Sequence, residues 1–185
     1  MKGFQRKEPL FSLCGLNCGL CTMHLGGYCP GCGGGPGNQS CPRARCSLAH
    51  GGVSFCWQCS EYPCSLYDGF DEFDSFLPHR NRTFDIAQAQ AMGLDAYLAQ
   101  LGEKRAALEE LLACYNDGRR KTFFSAAISL LPYDTVRAVM DTLHSRTELA
   151  DRPIRERART AAALFQAAAD QQGICLKLRR KPKRR

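Results

Sequence analysis

Ten cysteines crowd into residues 14–64, and their spacing is that of metal ligands. Cys18-x2-Cys21, Cys29-x2-Cys32 and Cys56-x2-Cys59 are close thiol pairs of the kind used by metal knuckles, and Cys14, Cys41-x4-Cys46 and Cys64 complete the set. A tight turn aims both sulfurs of such a pair at one point, which suits chelation and is poor geometry for a disulfide between the two. The expected metal ligands are Cys14, Cys18, Cys21, Cys29, Cys32, Cys41, Cys46, Cys56, Cys59 and Cys64. His24 follows Cys21 by three residues and His50 follows Cys46 by four; each is either a further ligand or a loop histidine. Spacing defines pairs but not their partners. One grouping joins Cys14, Cys18, Cys21 and Cys64 in a first site and Cys29, Cys32, Cys56 and Cys59 in a second.

Zinc is the expected metal, because thiolates bind it in closed tetrahedral sites. Ten cysteines supply two four-thiolate sites with two left over. An iron–sulfur cluster is the alternative, for electron transfer or activation of a small molecule. Cys14-x3-Cys18-x2-Cys21 has the spacing of the three-cysteine site of radical S-adenosylmethionine enzymes, but those need most of a β/α barrel and no alternating β/α pattern is present. Trp57 and Tyr62 lie beside candidate ligands, where aromatics shield a cluster or pack a small zinc module. A third chemistry is that of reactive thiols. Cys41 and Cys46 flank Arg43 and Arg45, and positive charge lowers a thiol pKa.

Other chemistries lack support. His24, His50, His79 and His144 are scattered, with no nucleophile–base arrangement or zinc-protease motif around them. The glycines of Gly31–Gly37 follow no β-rich run and lack a Gly-Lys-Ser/Thr ending, so they read as a turn between ligands and not a phosphate loop. Asp68, Asp71, Glu72 and Asp74 interleave with Phe70, Phe73 and Phe76, a pattern expected to pack the rings and leave the acids in water.

Composition sets the frame. A chain of 185 residues, 44% hydrophobic and 23% charged, is ordinary globular material, and no apolar run approaches a membrane span. The segment MKGFQRKEPLFSLCGL has no apolar stretch suited to a cleaved secretory signal. The expected location is therefore cytoplasmic, where thiols stay reduced and metal is favoured over disulfides. The net charge of +7 is that of Lys177, Arg179, Arg180, Lys181, Lys183, Arg184 and Arg185; the remainder balances 18 basic against 18 acidic residues. Twelve of the 17 glycines fall in residues 1–64, beside only seven charged residues and few long aliphatic ones. Such a segment buries too little apolar surface to fold by burial alone.

Together, Cys14-Gly15-Leu16-Asn17-Cys18-Gly19-Leu20-Cys21, Cys29-Pro30-Gly31-Cys32, Cys41-Pro42-Arg43-Ala44-Arg45-Cys46 and Phe55-Cys56-Trp57-Gln58-Cys59-x2-Tyr62-Pro63-Cys64 resemble the DUF3795 family, cysteine-rich bacterial and archaeal proteins of undefined function. The later half also resembles its longer members, in Asn116-Asp117-Gly118-Arg119-Arg120-Lys121-x-Phe123-Phe124 and Ile174-x-Leu176-Lys177-Leu178-Arg179. The resemblance implies an intracellular metal-binding protein and supplies no activity.

The elements that must carry these residues divide by composition: a cysteine-rich metal-binding module over 10–66, a helical bundle over 80–173, and a short extended segment with a basic tail over 174–185. A short helix is expected around 83–91. Leu94, Leu98, Leu101, Leu108, Leu112 and Tyr115 then mark a helix stopped by Asn116-Asp117-Gly118. Phe124, Ala127, Ile128 and Leu131 mark a second, ended by Pro132. Val136, Val139, Met140 and Leu143 mark a third, with Asp134 as its cap. Ile154, Ala158, Ala161, Phe165 and Ala168 mark a fourth, started by Asp151 and Pro153 and closed by Gly173. Alternation in Ile174, Leu176 and Leu178 predicts a short strand or extended arm. The expected fold class is mainly α with an irregular cysteine-rich metal-binding module, a small helical bundle packed on a zinc-knuckle-like N-terminal region. The expected partner is another protein. Nucleic acid would be engaged only through the tail; such binding falls steeply with salt and disappears when residues 177–185 are removed, which a filter-binding titration reads directly.

Overall fold

The computed structural model describes residues 3–35 and 40–182. Among them are seven α-helices and no strand: α1 (Thr22–Leu25), α2 (Pro42–Ala49), α3 (Arg82–Met92), α4 (Leu94–Cys114), α5 (Lys121–Leu130), α6 (Tyr133–Ser145) and α7 (Ile154–Gln171). The chain is therefore mainly helical. Of the glycine-rich turn, Pro36 and Gly37 lie outside the described residues, as do Lys183, Arg184 and Arg185 of the tail. No helix among the described residues is long and apolar enough to cross a membrane.

Two compact units are present, Met1–Ala99 with Leu178–Arg185, and Gln100–Lys177. The division falls inside α4, whereas the change in amino-acid composition falls between residues 66 and 80. The reason is apolar cover. Within the first unit the cysteine-rich segment contributes Phe4, Phe11, Leu13, Leu20, Ala44 and Phe55 to the core, and Leu77, Ile86, Ala89 and Tyr97 complete it. Tyr97, from the first turns of α4, stacks near Phe11 at 4.8 Å and donates its hydroxyl hydrogen bond to Asn17 at 3.0 Å.

The second unit is built by ordinary burial. Leu108 and Leu111 of α4, Phe124 and Ile128 of α5, Leu143 of α6 and Phe165 of α7 are almost completely buried. α7 packs on both α5 and α6. The buried line of α4 runs through Tyr97, Leu101, Leu108 and Leu111, so Leu94, Leu98 and Leu112 flank the seam instead of centring it. In α7 the last inward position is Ala169, with Ala168 half-buried. Pro132, not Asp134, is the N-cap of α6; Asp134 lies in its first turn, where a carboxylate still suits the helix dipole. The Lys104 ammonium donates to the Leu131 carbonyl at 2.9 Å, just past the C-terminal end of α5.

Two expectations are corrected here. The acids of the 68–76 segment do not all face water. The Asp74 carboxylate is wholly buried: it accepts from the His79 amide at 2.8 Å, from Arg80 at 2.7 Å and from the Arg179 amide at 2.8 Å. Conversely Phe76 is 55% exposed. Enough donors converge on Asp74 to offset its desolvation, and the chain turns to bring them there. The second correction concerns Arg179. Leu176 and Leu178 are buried and Cys175, Lys177 and Arg179 exposed, as alternation requires, and the segment is an extended arm, one of the two forms expected. Arg179 is not a free tail charge. Asp74 donates its amide to the Arg179 carbonyl at 2.8 Å, and the Arg179 guanidinium reaches Asp74 at 3.6 Å and the Asp71 carbonyl. A truncation that tests polyanion binding without unfolding this anchor starts after Arg180.

Asp74→Ala removes the acceptor that Arg80 and the His79 and Arg179 amides share. The expected loss is about 3 kcal/mol in urea unfolding, the cost of breaking a buried pair, with faster tryptic cleavage around residues 177–181. Asp74→Asn, which keeps one acceptor oxygen, should lose less.

Candidate metal centre

Most of the thiols are carried on turns, and Cys46 on a helix. The stretch Ser12–Leu16 folds back on itself: Ser12 Oγ accepts from the Leu16 amide at 2.8 Å and touches Cys14 Sγ at 3.2 Å. Cys18–Leu20 and Cys56–Gln58 are 3₁₀ turns, and each closes its Cys-x2-Cys pair by an amide bond of 3.0 Å, from Cys21 to the Cys18 carbonyl and from Cys59 to the Cys56 carbonyl. The Phe55 amide donates to the Gln58 side chain at 3.0 Å, pinning the second turn. Cys41 caps α2 and Cys46 lies within it.

Two glycines are required by these turns. Gly15, at φ +88°, brings the backbone against α3, where a Cβ would stand 2.6 Å from Ile86. Gly31, also at φ +88°, turns the chain between Cys29 and Cys32 so closely that a Cβ would meet the Pro9 carbonyl oxygen at 2.7 Å. The Cys32 amide donates to that same oxygen at 2.8 Å, so the close approach is what registers the knuckle on the N-terminal strand of chain.

The ten cysteines form no disulfide. They fall into neighbourhoods that differ from the expected grouping. Burial, followed by the nearby Cys14, Cys32, Cys21 and Cys29, holds the Cys18 thiol well above its usual pKa. Cys64 is instead a neighbour of Cys46, with Cys59: partial burial and then those two thiols and Glu61 raise the Cys46 pKa. Cys64 thus lies with Cys46, Cys56 and Cys59 around one pocket, and Cys29 and Cys32 are near enough to act on Cys18. Cys32, Cys41 and Cys56 all pack against the small core of Phe4, Leu13 and Ala44. Cys56 is pushed up to about 11 by burial, in part offset by the Tyr67 hydroxyl beside it.

A pocket in the first unit is lined by Cys46, Cys56, Cys59, Cys64, His50 and Glu61. Its volume of about 20 Å³ is enough for one water or ion, which needs roughly 10–15 Å³. A larger hollow in the second unit carries charges already paired with each other, His144 with Glu110 at 2.8 Å and Tyr133 with Glu103.

The donor chemistry of these neighbourhoods, thiols with one imidazole, fits a thiophilic metal. As the side chains stand, no three His, Cys, Asp or Glu residues among those described converge closely enough to hold an ion. For the alternative of a reactive pair, Cys41 and Cys46 sit in different settings. Cys41 packs on the Phe4–Leu13–Ala44 core while Cys46 opens to the pocket, and the Cys46 pKa is raised, not lowered. Arg43 turns away from the thiol: its guanidinium lies 3.6 Å from the Phe70 ring centre, over Tyr67 at 4.8 Å, and donates to the Leu66 carbonyl. His24 Nδ1 is engaged with the Cys29 carbonyl at 2.9 Å. Cys114 and Cys175 are exposed, away from both neighbourhoods in sequence.

Three arginines organise the site without announcing it in the sequence. Arg6 reaches the carbonyls of Ser54, Glu8 and Phe11 at 2.8–3.0 Å and lies over Phe55. Arg82, 3% exposed, forms a two-pronged pair with Asp71 at 2.6 and 2.9 Å and donates to the Tyr62 hydroxyl at 2.8 Å. Arg43 completes the set through Phe70. Only Arg43 carries a sequence signal, its place between two cysteines.

Compared with known protein families, curated proteins and solved structures, the chain finds no match.

Gly31→Ala combines backbone strain with a clash against Pro9, and the expected cost is about 2 kcal/mol in urea unfolding. Gly102→Ala, on α4 with nothing within 4 Å of the added Cβ, should leave stability unchanged or raise it by about 0.5–1 kcal/mol.

Proposed function

We propose that the chain is an intracellular, cytoplasmic metal-binding protein with about two thiolate sites, most simply structural zinc, in a module that binds or regulates a protein partner. The observation that carries this reading is the crowding of ten cysteines, with no disulfide, into residues 14–64, four of which, Cys46, Cys56, Cys59 and Cys64, line one pocket with His50. Cysteine is costly to hold reduced and crowded unless it ligates, and the core these turns share is too small to need ten thiols for packing. Four of Cys14, Cys18, Cys21, Cys29 and Cys32 would hold one ion, and Cys46, Cys59 and Cys64 would belong to another. When bound, the metal would supply cross-linking in place of apolar burial. The resemblance to DUF3795 proteins agrees with this reading and rests on the same ordered cysteines.

A second reading has one observation in its favour. Cys18 and the four thiols near it, Cys14, Cys21, Cys29 and Cys32, exceed by one what a single zinc takes, and Cys56 neighbours Cys14 as well. A surplus of that kind suits an iron–sulfur cluster.

Elemental analysis of protein purified without oxygen distinguishes the two. About two zinc ions per chain and a colourless solution support structural sites; iron with acid-labile sulfide and a brown colour supports the cluster; no metal of either kind overturns both. Cys18→Ser and Cys59→Ser should each lose bound metal and expose the first unit to protease, while Cys114→Ser should do neither. Equal effects from all three would sink the proposal.

A further inference from the structure

We infer that His50 is the nitrogen ligand of a three-thiolate, one-imidazole metal site formed with Cys46, Cys59 and Cys64, and that Glu61 orients it. The inference rests on the metal-binding reading and assigns the ligands of the second neighbourhood. α2 ends at Ala49, so its last turn brings His50 back over Cys46. His50 Nδ1 lies 3.4 Å from Cys46 Sγ. Two ligands of one tetrahedral zinc, with Zn–S about 2.3 Å and Zn–N about 2.0–2.1 Å, stand about 3.5 Å apart. The pair is therefore already at ligand spacing, and a Cys-x3-His step is a familiar one for zinc.

The other ring nitrogen completes the pattern. His50 Nε2 lies 3.4 Å from Glu61 Oε1. A ligating histidine generally gives its outer N–H to a carboxylate or carbonyl, which selects the tautomer and steadies the ring. Cys59 and Cys64 line the same pocket, as does Cys56, which packs on the Phe4–Leu13–Ala44 core, and Glu61 lies between Cys59 and Cys64 in sequence. His50 Nδ1 also meets the Cys46 carbonyl at 2.9 Å; the contact a metal would displace is thus on the same residue as the sulfur it would bridge to. The remaining histidines are engaged elsewhere. His24 is on the Cys29 carbonyl, His79 bonds the Phe70 carbonyl and Ser75 through its two nitrogens, and His144 pairs with Glu110. His50 is the one shown against a thiol among the described residues.

The test uses the full chain, stripped of metal under reducing, oxygen-free conditions and titrated with cobalt(II) alone, whose visible bands report thiolate and imidazole ligation. Wild type should take up about two ions. His50→Ala should weaken one of them at least about tenfold and shift its bands. Glu61→Gln should weaken the same ion by about 10–100-fold with the band pattern kept, the usual effect of losing an outer partner. His50→Cys should restore tight binding with an all-thiolate spectrum, which also separates ligand loss from misfolding of the alanine variant. Wild-type affinity and spectrum in His50→Ala overturn the assignment while leaving the metal-binding reading intact. A wild-type chain that takes up no cobalt overturns both.

Discussion

The first unit has to place ten thiols around a hydrophobic core with few long aliphatic side chains, and Cys32, Cys41 and Cys56 pack on only Phe4, Leu13 and Ala44 of it. That constraint accounts for most of what surrounds it. With few aliphatic side chains available, the turns are fixed by backbone bonds across the sequence: Arg6 to Gly33, Gly19 to Leu10, Cys32 to Pro9 and Cys56 to Leu13. Each is worth only about 1 kcal/mol net. Together they place the thiols without a regular sheet or long helix, and they demand glycine wherever two backbones meet as closely as at Pro9 and Gly31.

Cations and rings supply a second source of order. Arg43 and Arg82 both lie over Tyr67 and Phe70, at 3.6–5.6 Å from the ring centres. Partly desolvated contacts of this kind contribute roughly 0.5–2 kcal/mol each. They also bury the stems of long side chains where a larger protein would use leucine. Phe11, Phe55 and Trp57 form the companion cluster, with Phe55 and Trp57 stacked at 4.1 Å. The aromatics beside the candidate ligands are therefore accounted for by packing among themselves and with Tyr97, which is the simpler of the two roles their position suggested.

What was legible in the sequence follows from which forces have a period. Helices α5, α6 and α7 are held by apolar stripes, and Phe124, Val136, Val139, Ala158 and Phe165 are buried where the stripes place them. The extent of α4 and its stop before Asn116 were equally plain, although its seam is rotated toward Tyr97 and Leu111. The cysteine spacing marked the pairs. It did not mark how the pairs assort, because Cys64 meets Cys46 and Cys59 through loop closures that leave no periodic trace. The same holds for Asp74. One acid in a run of four is buried because Arg80, His79 and Arg179, the last over a hundred residues away, converge on it. Nothing in the run itself distinguishes that acid from its neighbours.

The two units thus represent two solutions to one thermodynamic problem. Fixing a residue's backbone costs about 1–2 kcal/mol of conformational entropy. The second unit offsets this with side chains that leave water, Leu108, Leu111, Phe124, Ile128 and Phe165 among them. In the first, a larger share falls to directional contacts, which tolerate less error: a thiol, carbonyl or guanidinium displaced by 1 Å loses its partner, whereas a leucine displaced by 1 Å keeps most of its contacts. A unit held this way gains most from a cross-link that is itself directional. Crowded thiols on rigid turns, with one imidazole at ligand spacing from its sulfur, are the arrangement in which a single ion would contribute more to order than any one added side chain.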